Sequence, residues 1–474
     1  MSSGDHESRK KFHKDLHKHW YSFAMPAVGK LVCALSRLLH HGGSALPGKV
    51  IESLDSGFLA RTLSTLPYGI VLISGTNGKT TTTRMVTSML RDAGLRVFTN
   101  PTGSNFTRGV VAALAKTMPA FGTKLDADIA VLELDEAYAV HFVKQIKPSY
   151  ALLLNVMRDQ LDRFGEIDTT AKLLSTVAAA TEGTVVLNRE DARIAALAKV
   201  VAPDASIKYF GLDDAVKSMF PTDDDLHNDN SSDSADGADS ADNANNLPKA
   251  DVLLSKVGGH KAEFIIEGQR KSTSVKLDGA YNIFNAAAAA TVVRAILADV
   301  KKKNEDATLK NFDDNALMQA ISRVTPAFGR GEVIEVNGSP VELVLVKNPI
   351  GFRLALASDK PEKHDTMIAI CDEYADGRDM SWLWDVDFTC LRSTGVTCVS
   401  GTRAWDMALR LEYDKVSVRN VSTELGKDAL GFAQGDFSAS KTRAKRIYCT
   451  YTAMLRVRAV LAQIAAVKDV GVGK

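Results

Sequence analysis

The sequence predicts an α/β protein with two folded parts. The first is a central domain with a doubly wound, mainly parallel sheet built around a phosphate-binding loop. The second is a smaller, Rossmann-like C-terminal α/β domain. Three observations predict this. An apolar run, Ile70–Ser74, leads into a glycine loop, Gly75–Gly78, and then into a helical stretch from Lys79 to Ala93. Short apolar segments then alternate with helical patterns, the mark of parallel βαβ units. After Pro326 a fresh set of strands opens with a hairpin at Asn337-Gly338.

Taken in order, residues 1–20 are polar and basic, with no apolar leader core after them. Ala24–Leu39 reads as an amphipathic helix ended by Gly42-Gly43. Beyond the glycine loop, strands are expected at Arg96–Thr99, Ile129–Leu134, Tyr150–Leu154 and Thr184–Leu187, with a helix at Ala171–Ala180 before the last. Asp213–Asn246 repeats Asp, Asn, Ser and Ala. Such composition buries too little apolar surface to offset ordering entropy, so a disordered acidic insertion is expected. A strand at Ala250–Ser255, a hairpin over residues 260–278 and a helix at Asn282–Val300 complete the central domain. The C-terminal strands are Val333–Val336, Val341–Val346, Met367–Cys371 and Gly395–Val399. The division is residues 1–50 as tail and lead-in helix, 51–320 as central domain and 321–474 as C-terminal domain.

Bulk composition excludes some classes. Lys+Arg is 58 against Asp+Glu 57, a formal charge of +1, without the basic excess of a dedicated nucleic-acid binder. Five scattered cysteines form no C-x-x-C pair, which suits reduced cytosolic thiols better than a disulfide framework or zinc ribbon. No stretch reads as the roughly 18–20 apolar residues that span a bilayer. A cytoplasmic protein is expected, free to act on a substrate presented at a membrane surface.

The chemistry is carried by Gly75-Thr76-Asn77-Gly78-Lys79-Thr80-Thr81. Its glycines let backbone N–H groups face phosphate oxygens, and the following helix aims its positive end at them. Lys79 would reach the β- and γ-phosphates, and Thr80 would offer a hydroxyl to magnesium.

This loop has the form found in Mur ligases and folylpolyglutamate synthases, and the chain resembles the Mur ligase family, within it the MurT branch. The resemblance runs from about Gly29 to Leu455 and includes the lead-in Gly42–Lys49. It implies an ATP-binding role for Gly75 through Thr81. Asn100–Asn105 matches a turn near nucleotide and substrate; the alternative is an ordinary Pro/Gly turn. Glu133 matches a glutamate that holds magnesium, which suits a hard carboxylate oxygen; the alternative is strand-end capping. In Asn155–Asp162, Gln160 stands where peptide-adding members carry a histidine metal ligand, and the second metal ligand stays open. Asn282 matches an asparagine that recognises adenine, an amide being able to pair with a base edge; a helix N-cap explains it nearly as well. Arg330 matches the arginine that joins the domains over ATP.

The C-terminal domain points to the branch. Val346–Phe352 replaces the D-Y-A-H-N-P segment of peptide-adding members. Asp372-Glu373-Tyr374-Ala375-Asp376-Gly377-Arg378-Asp379-Met380-Ser381-Trp382-Leu383-Trp384-Asp385 resembles the D-N-x-x-A-D-G-x-D-x-S-W-x-W-D pattern, with Glu373 in place of asparagine. A solvated acidic loop is the plainer alternative. Many branch members hold zinc on two C-x-x-C pairs; the corresponding stretch here has no cysteine, so no zinc is expected.

The resemblance implies ATP-dependent amidation of the D-glutamate α-carboxylate in the lipid II stem peptide, through an acyl phosphate, with magnesium. Ammonia would come from a GatD-like class I glutamine amidotransferase, and Asp372, with Asp376 and Asp379 behind it, would contribute to that partner's site. Two other readings remain: a ligase adding an amino acid, and a nucleotide-binding scaffold.

Overall fold

The computed structural model describes residues 21–38, 46–101, 104–157, 167–217, 219–220, 247–258, 261–276, 280–303, 311–324, 330–357, 360–373, 376–437 and 443–467. Two sheets organise them. The first contains β1 (Ile70–Ser74), β2 (Val97–Thr99), β3 (Ile129–Glu133), β4 (Tyr150–Leu153), β5 (Thr184–Asn188), β6 (Ser206–Leu212), β7 (Val252–Gly258), β8 (Lys261–Ile266) and β9 (Gln269–Ser274). Their order is β2-β3-β1-β4-β5-β6-β7-β8-β9. Pairing is parallel from β2 through β7 and antiparallel for β7, β8 and β9. The chain winds from β1 towards β2 and later crosses back beyond β1 to β4. The strand order therefore reverses around β1, where α/β sheets place ligands.

Alternation along β1 shows why this sheet forms. Val71 and Ile73 face one core with Met85, Met89, Ala286–Ala290 and Val293; Ile70 and Leu72 face the other with Val110, Leu114, Phe142 and Leu174. Both faces are covered by helices, so β1 reads as a continuous apolar run.

The second sheet contains β10 (Arg330–Val336), β11 (Ser339–Leu345), β12 (His364–Ala369), β13 (Val396–Ser400), β14 (Val418–Ser422) and β15 (Ala444–Cys449), in the order β10-β11-β15-β12-β13-β14. Only β10 and β11 are antiparallel. Their turn, Asn337-Gly338, has φ of 51° and 75°, the doubly left-handed backbone of a two-residue hairpin.

Several expectations need correction. Helix Leu46–Leu54 runs across the boundary at residue 50, and Met25 and Ile51 are buried in the central core, so the lead-in belongs to that domain. Helix Asp314–Arg323 also packs there through Leu317, Ile321 and Val324, moving the C-terminal boundary past residue 320. The polar stretch begins later than Asp213. Asp214–Lys217 is helical, and Val216 and Phe220 are buried, with Phe220 against Tyr281 and Phe284. Residues 221–246 lie outside the described residues. Finally, helix Ala280–Lys303 is long and apolar enough to cross a membrane, with 78% of its apolar window buried inside the protein. Its composition follows from close packing on the sheet.

Candidate active site

The loop after β1 is shaped by two glycines. Gly75 has φ of 128° and Gly78 of 89°, the region that favours glycine. At Gly78 a Cβ would also come within 2.6 Å of the Asn285 amide nitrogen. Gly78 caps helix Lys79–Asp92, so the positive end of that helix opens onto the loop.

Residues following β4 hold the loop. The Asn77 N–H donates to Asn155 Oδ1 at 2.8 Å, and Asn155 Nδ2 donates back to the Asn77 carbonyl at 3.0 Å. The Thr76 N–H donates to the Asn155 carbonyl, and the Met157 N–H to Thr76 Oγ1. Asp191 extends this support: it accepts from the Val156 N–H at 2.7 Å and caps the helix Ala192–Ala196. Burial raises its carboxyl pKa, while those N–H donors pull it down.

Lys79 is buried among carbonyls and carboxylates. Its Nζ donates to the Gly75 carbonyl at 2.6 Å and lies 3.2 Å from Asp135 and 3.9 Å from Glu136. Thr80 donates through Oγ1 to Glu133 Oε1 at 2.7 Å. Glu133 ends β3, and Asn100 fixes that end by bonding both its N–H and its carbonyl, at 3.0 and 2.9 Å. The result is an ammonium at the start of helix Lys79–Asp92, with a hydroxyl and a carboxylate oxygen on the same turn of the site. Two such hard oxygens suit magnesium.

Other expected residues are placed less directly. Thr81 is buried in the first turn of helix Lys79–Asp92. Asn282 lies inside helix Ala280–Lys303, which begins before it, so it is not an N-cap. It is one turn ahead of Asn285, on the side that meets the loop. Arg330 opens β10 opposite Val344; its side chain, and Thr102, Gly103 and Gln160, lie outside what the structure describes. Asp372 stands beyond the carboxyl end of β12, where Thr402 Oγ1 donates to it at 2.7 Å and Arg403 approaches to 3.5 Å.

The acidic segment divides into two roles. Asp376 is buried, accepting from the Thr452 N–H and hydroxyl at the start of helix Tyr451–Leu461. Burial raises its carboxyl pKa, offset by those donors. Trp382 packs on Phe352 in the core. Both are thus explained by packing, and Asp376 does not stand exposed behind Asp372. Trp384 is 47% exposed, its ring 5.0 Å from that of Tyr413.

Sequence reasoning passed over Asn155 and Asn348, which lie inside quoted segments, and Asn285, one turn after Asn282. Asn348 links the domains: its Nδ2 donates to Asn77 Oδ1 at 3.1 Å, and Asn77 Nδ2 donates back at 3.4 Å. Only the folded chain brings these amides together.

Two family descriptions match: Mur ligase middle domain over residues 73–293, and MurT ligase C-terminal over residues 345–454. The lipid II isoglutaminyl synthase (glutamine-hydrolyzing) subunit MurT of Streptococcus pneumoniae is 30% identical over 443 residues, covering 89% of this chain and 92% of that protein. Its Staphylococcus aureus (strain COL) counterpart is 27% identical, over 82% and 87%. Among solved structures, MurF from Acinetobacter baumannii superposes with a TM-score of 0.62 at 16% identity, covering 89% of this chain and 80% of that one. MurF from Thermotoga maritima in complex with ADP gives 0.59 at 17%, over 88% and 83%. These structures share the fold.

Proposed function

The chain belongs to the MurT branch of the Mur ligase family, which are ATP-dependent ligases, and from that premise we propose that it amidates the D-glutamate α-carboxylate of the lipid II stem peptide. The carboxylate oxygen attacks the γ-phosphorus of ATP and ADP leaves, forming an acyl phosphate. Ammonia then attacks the acyl carbon, phosphate departs with the C–O bond broken, and the nitrogen sheds a proton to leave the D-isoglutamine amide.

The observation that carries this reading is the cluster of Lys79, Thr80 and Glu133 at the glycine loop. Lys79 and the loop N–H groups would bind and orient the phosphates and stabilise charge on the transferring group. To do so, Lys79 exchanges the Gly75 carbonyl and Asp135 for phosphate oxygens. Thr80 and Glu133 would hold magnesium, which when bound neutralises phosphate charge. Asn282 and Asn285 would line the adenine side, and Arg330 would close over the nucleotide.

Ammonia is proposed to come from a GatD-like glutamine amidotransferase subunit. Burial pushes the Cys398 thiol up to about 11 and that of Cys449 further up, so neither is poised as a glutaminase nucleophile. Asp372 is partly exposed beside Arg403, which also pairs with Asp406 at 2.8 Å. Along the same helix Trp405, Leu409 and Tyr413 are 65%, 48% and 69% exposed at successive turns. Exposed aromatic residues beside a carboxylate support this as the face for that partner.

The test is amidation of lipid II with ATP and ammonium. Lys79→Ala should fold normally and lose on the order of 10²-fold or more in turnover, as expected for a lost transition-state donor. Near-normal turnover would remove the loop from the reaction. Incorporation of an amino acid instead of ammonia would redirect the reading to a peptide-adding ligase.

A further inference from the structure

We propose that the exposed leucine face of helix Met25–Leu38 seats the protein on an anionic membrane surface, a proposal that rests on lipid II being the substrate. Leu31, Leu35 and Leu38 are 61%, 51% and 78% exposed. Their spacing places all three on one narrow stripe of the helix. The opposite side of this helix is anchored. Met25 is in the core, and Gly29 lies so close to Ala115 and Ile51 that a Cβ would meet both below 3 Å.

The apolar surface continues past the helix. At its start, Phe23 and Phe121 are exposed with ring centroids 6.2 Å apart, and the Gly122 N–H donates to the Phe23 carbonyl. Beside it, Leu46 and Leu54 of the packed helix Leu46–Leu54 are about half exposed.

Charge identifies the occupant. Residues 1–50 carry eight Lys and Arg against three Asp and Glu, while the whole chain is balanced at 58 against 57. Residues 21–50 include Lys30, Arg37 and Lys49 and no acidic residue. A leucine stripe on a segment with a local cationic surplus fits the boundary between anionic headgroups and acyl chains. A docking face for the acidic surface of a folded protein would not need so much bare aliphatic area.

Orientation agrees with this assignment. Phe23 meets Gly122 and Gly29 meets Ala115, so helix Met25–Leu38 runs antiparallel to helix Thr107–Thr117. Its Leu38 end therefore points towards the Arg108 end of that helix, where Gly48 packs on the Arg108 backbone. Just before Thr107, the Asn105 carbonyl accepts from the Asp135 N–H, and Asp135 pairs with Lys79. The stripe thus leads along the lobe towards the end that holds the glycine loop, as a lipid-linked substrate requires.

The test uses the full chain and vesicles of phosphatidylcholine with about 30% phosphatidylglycerol, an anionic surface. The wild type should co-sediment with these vesicles and weakly with pure phosphatidylcholine. The triple variant Leu31→Ser/Leu35→Ser/Leu38→Ser should fold with an unchanged melting temperature and bind on the order of tenfold less. With ammonium as nitrogen donor, it should amidate a soluble stem-peptide substrate at the wild-type rate and lose turnover only on lipid II in vesicles. Equal vesicle binding by the two proteins, no binding by either, or a wild-type dimer that the triple variant dissolves would overturn the proposal. Stripe-dependent vesicle binding without amidation of either substrate would leave the membrane face standing and overturn the substrate reading instead.

Discussion

Asp372 lies beyond the carboxyl end of β12, in the C-terminal domain. Its carboxylate accepts from Thr402 and faces Arg403, outside the hydrogen-bonded cluster at the glycine loop. A carboxylate so placed could orient a partner's histidine, as the third member of a nucleophilic triad does. Asp372→Asn keeps the shape and the Thr402 bond but removes the charge. Glutamine-driven amidation by the two-subunit complex should then fall on the order of 10²-fold or more, with ammonium-driven turnover unchanged. Equal loss in both assays would put Asp372 in the synthetase site; no loss would return it to a solvated loop. Lys79 stood out in sequence because its loop is contiguous, and Glu133 through the family resemblance. Asp135 and Glu136 were visible only as neighbours, since their pairing with Lys79 comes from the packing of β3 beside β1.

The polar stretch after β6 joins a short packed helix to a segment rich in Asp and Ser. Its composition predicts that removing residues 221–246 leaves melting temperature and turnover unchanged, because loop-closure entropy varies slowly with length. Extending the deletion back to Asp213 also removes Val216 and Phe220 from the core. Loss of a buried phenylalanine alone costs about 3–5 kcal/mol, so the longer deletion should unfold at clearly lower denaturant. Equal denaturation midpoints for the two deletions would contradict the packing of Phe220. Low-complexity composition masked these two residues, since a short apolar pair inside Asp- and Ser-rich sequence carries no periodic signal. The same limit hid β15. Ala444–Cys449 is the strand between β11 and β12, yet it contains Lys445 and Arg446. Lys445 is buried and donates to Ser339 Oγ and the Arg443 carbonyl, and Arg446 pairs with Glu342 at 2.7 Å. Charges satisfied across strands read, in sequence, as a surface segment.

Across the whole molecule, the two domains meet at the Asn77–Asn348 amide pair. Asn77 belongs to the glycine loop, and Asn348 caps the helix Pro349–Ala357 by accepting from the Gly351 N–H. A reciprocal amide contact between loop and second domain should couple nucleotide binding at the loop to the second domain. In a double-mutant cycle of Asn77→Ala and Asn348→Ala, the effects on kcat/KM for ATP should be non-additive by about 0.5–1.5 kcal/mol, the range for a net hydrogen bond. Strict additivity would show that the contact does not matter to catalysis.

Sequence alone determined the domain class and the family, because each rests on local pattern. Apolar runs, a glycine loop and a helix start are written within a few tens of residues, and the roles proposed for Lys79 and Thr80 come from spacing. Tertiary structure decided what crosses the chain. It made Asn155 the support of the loop, turned Asp376 and Trp382 inward while leaving Asp372 and Trp384 outward, and brought Asn348 to Asn77. It also placed Ala280–Lys303 in the core and Leu31, Leu35 and Leu38 on the surface. The physical reason is that burial and hydrogen-bond partners are properties of the packed chain: hydropathy states what a segment can bury, and only its neighbours decide whether it does.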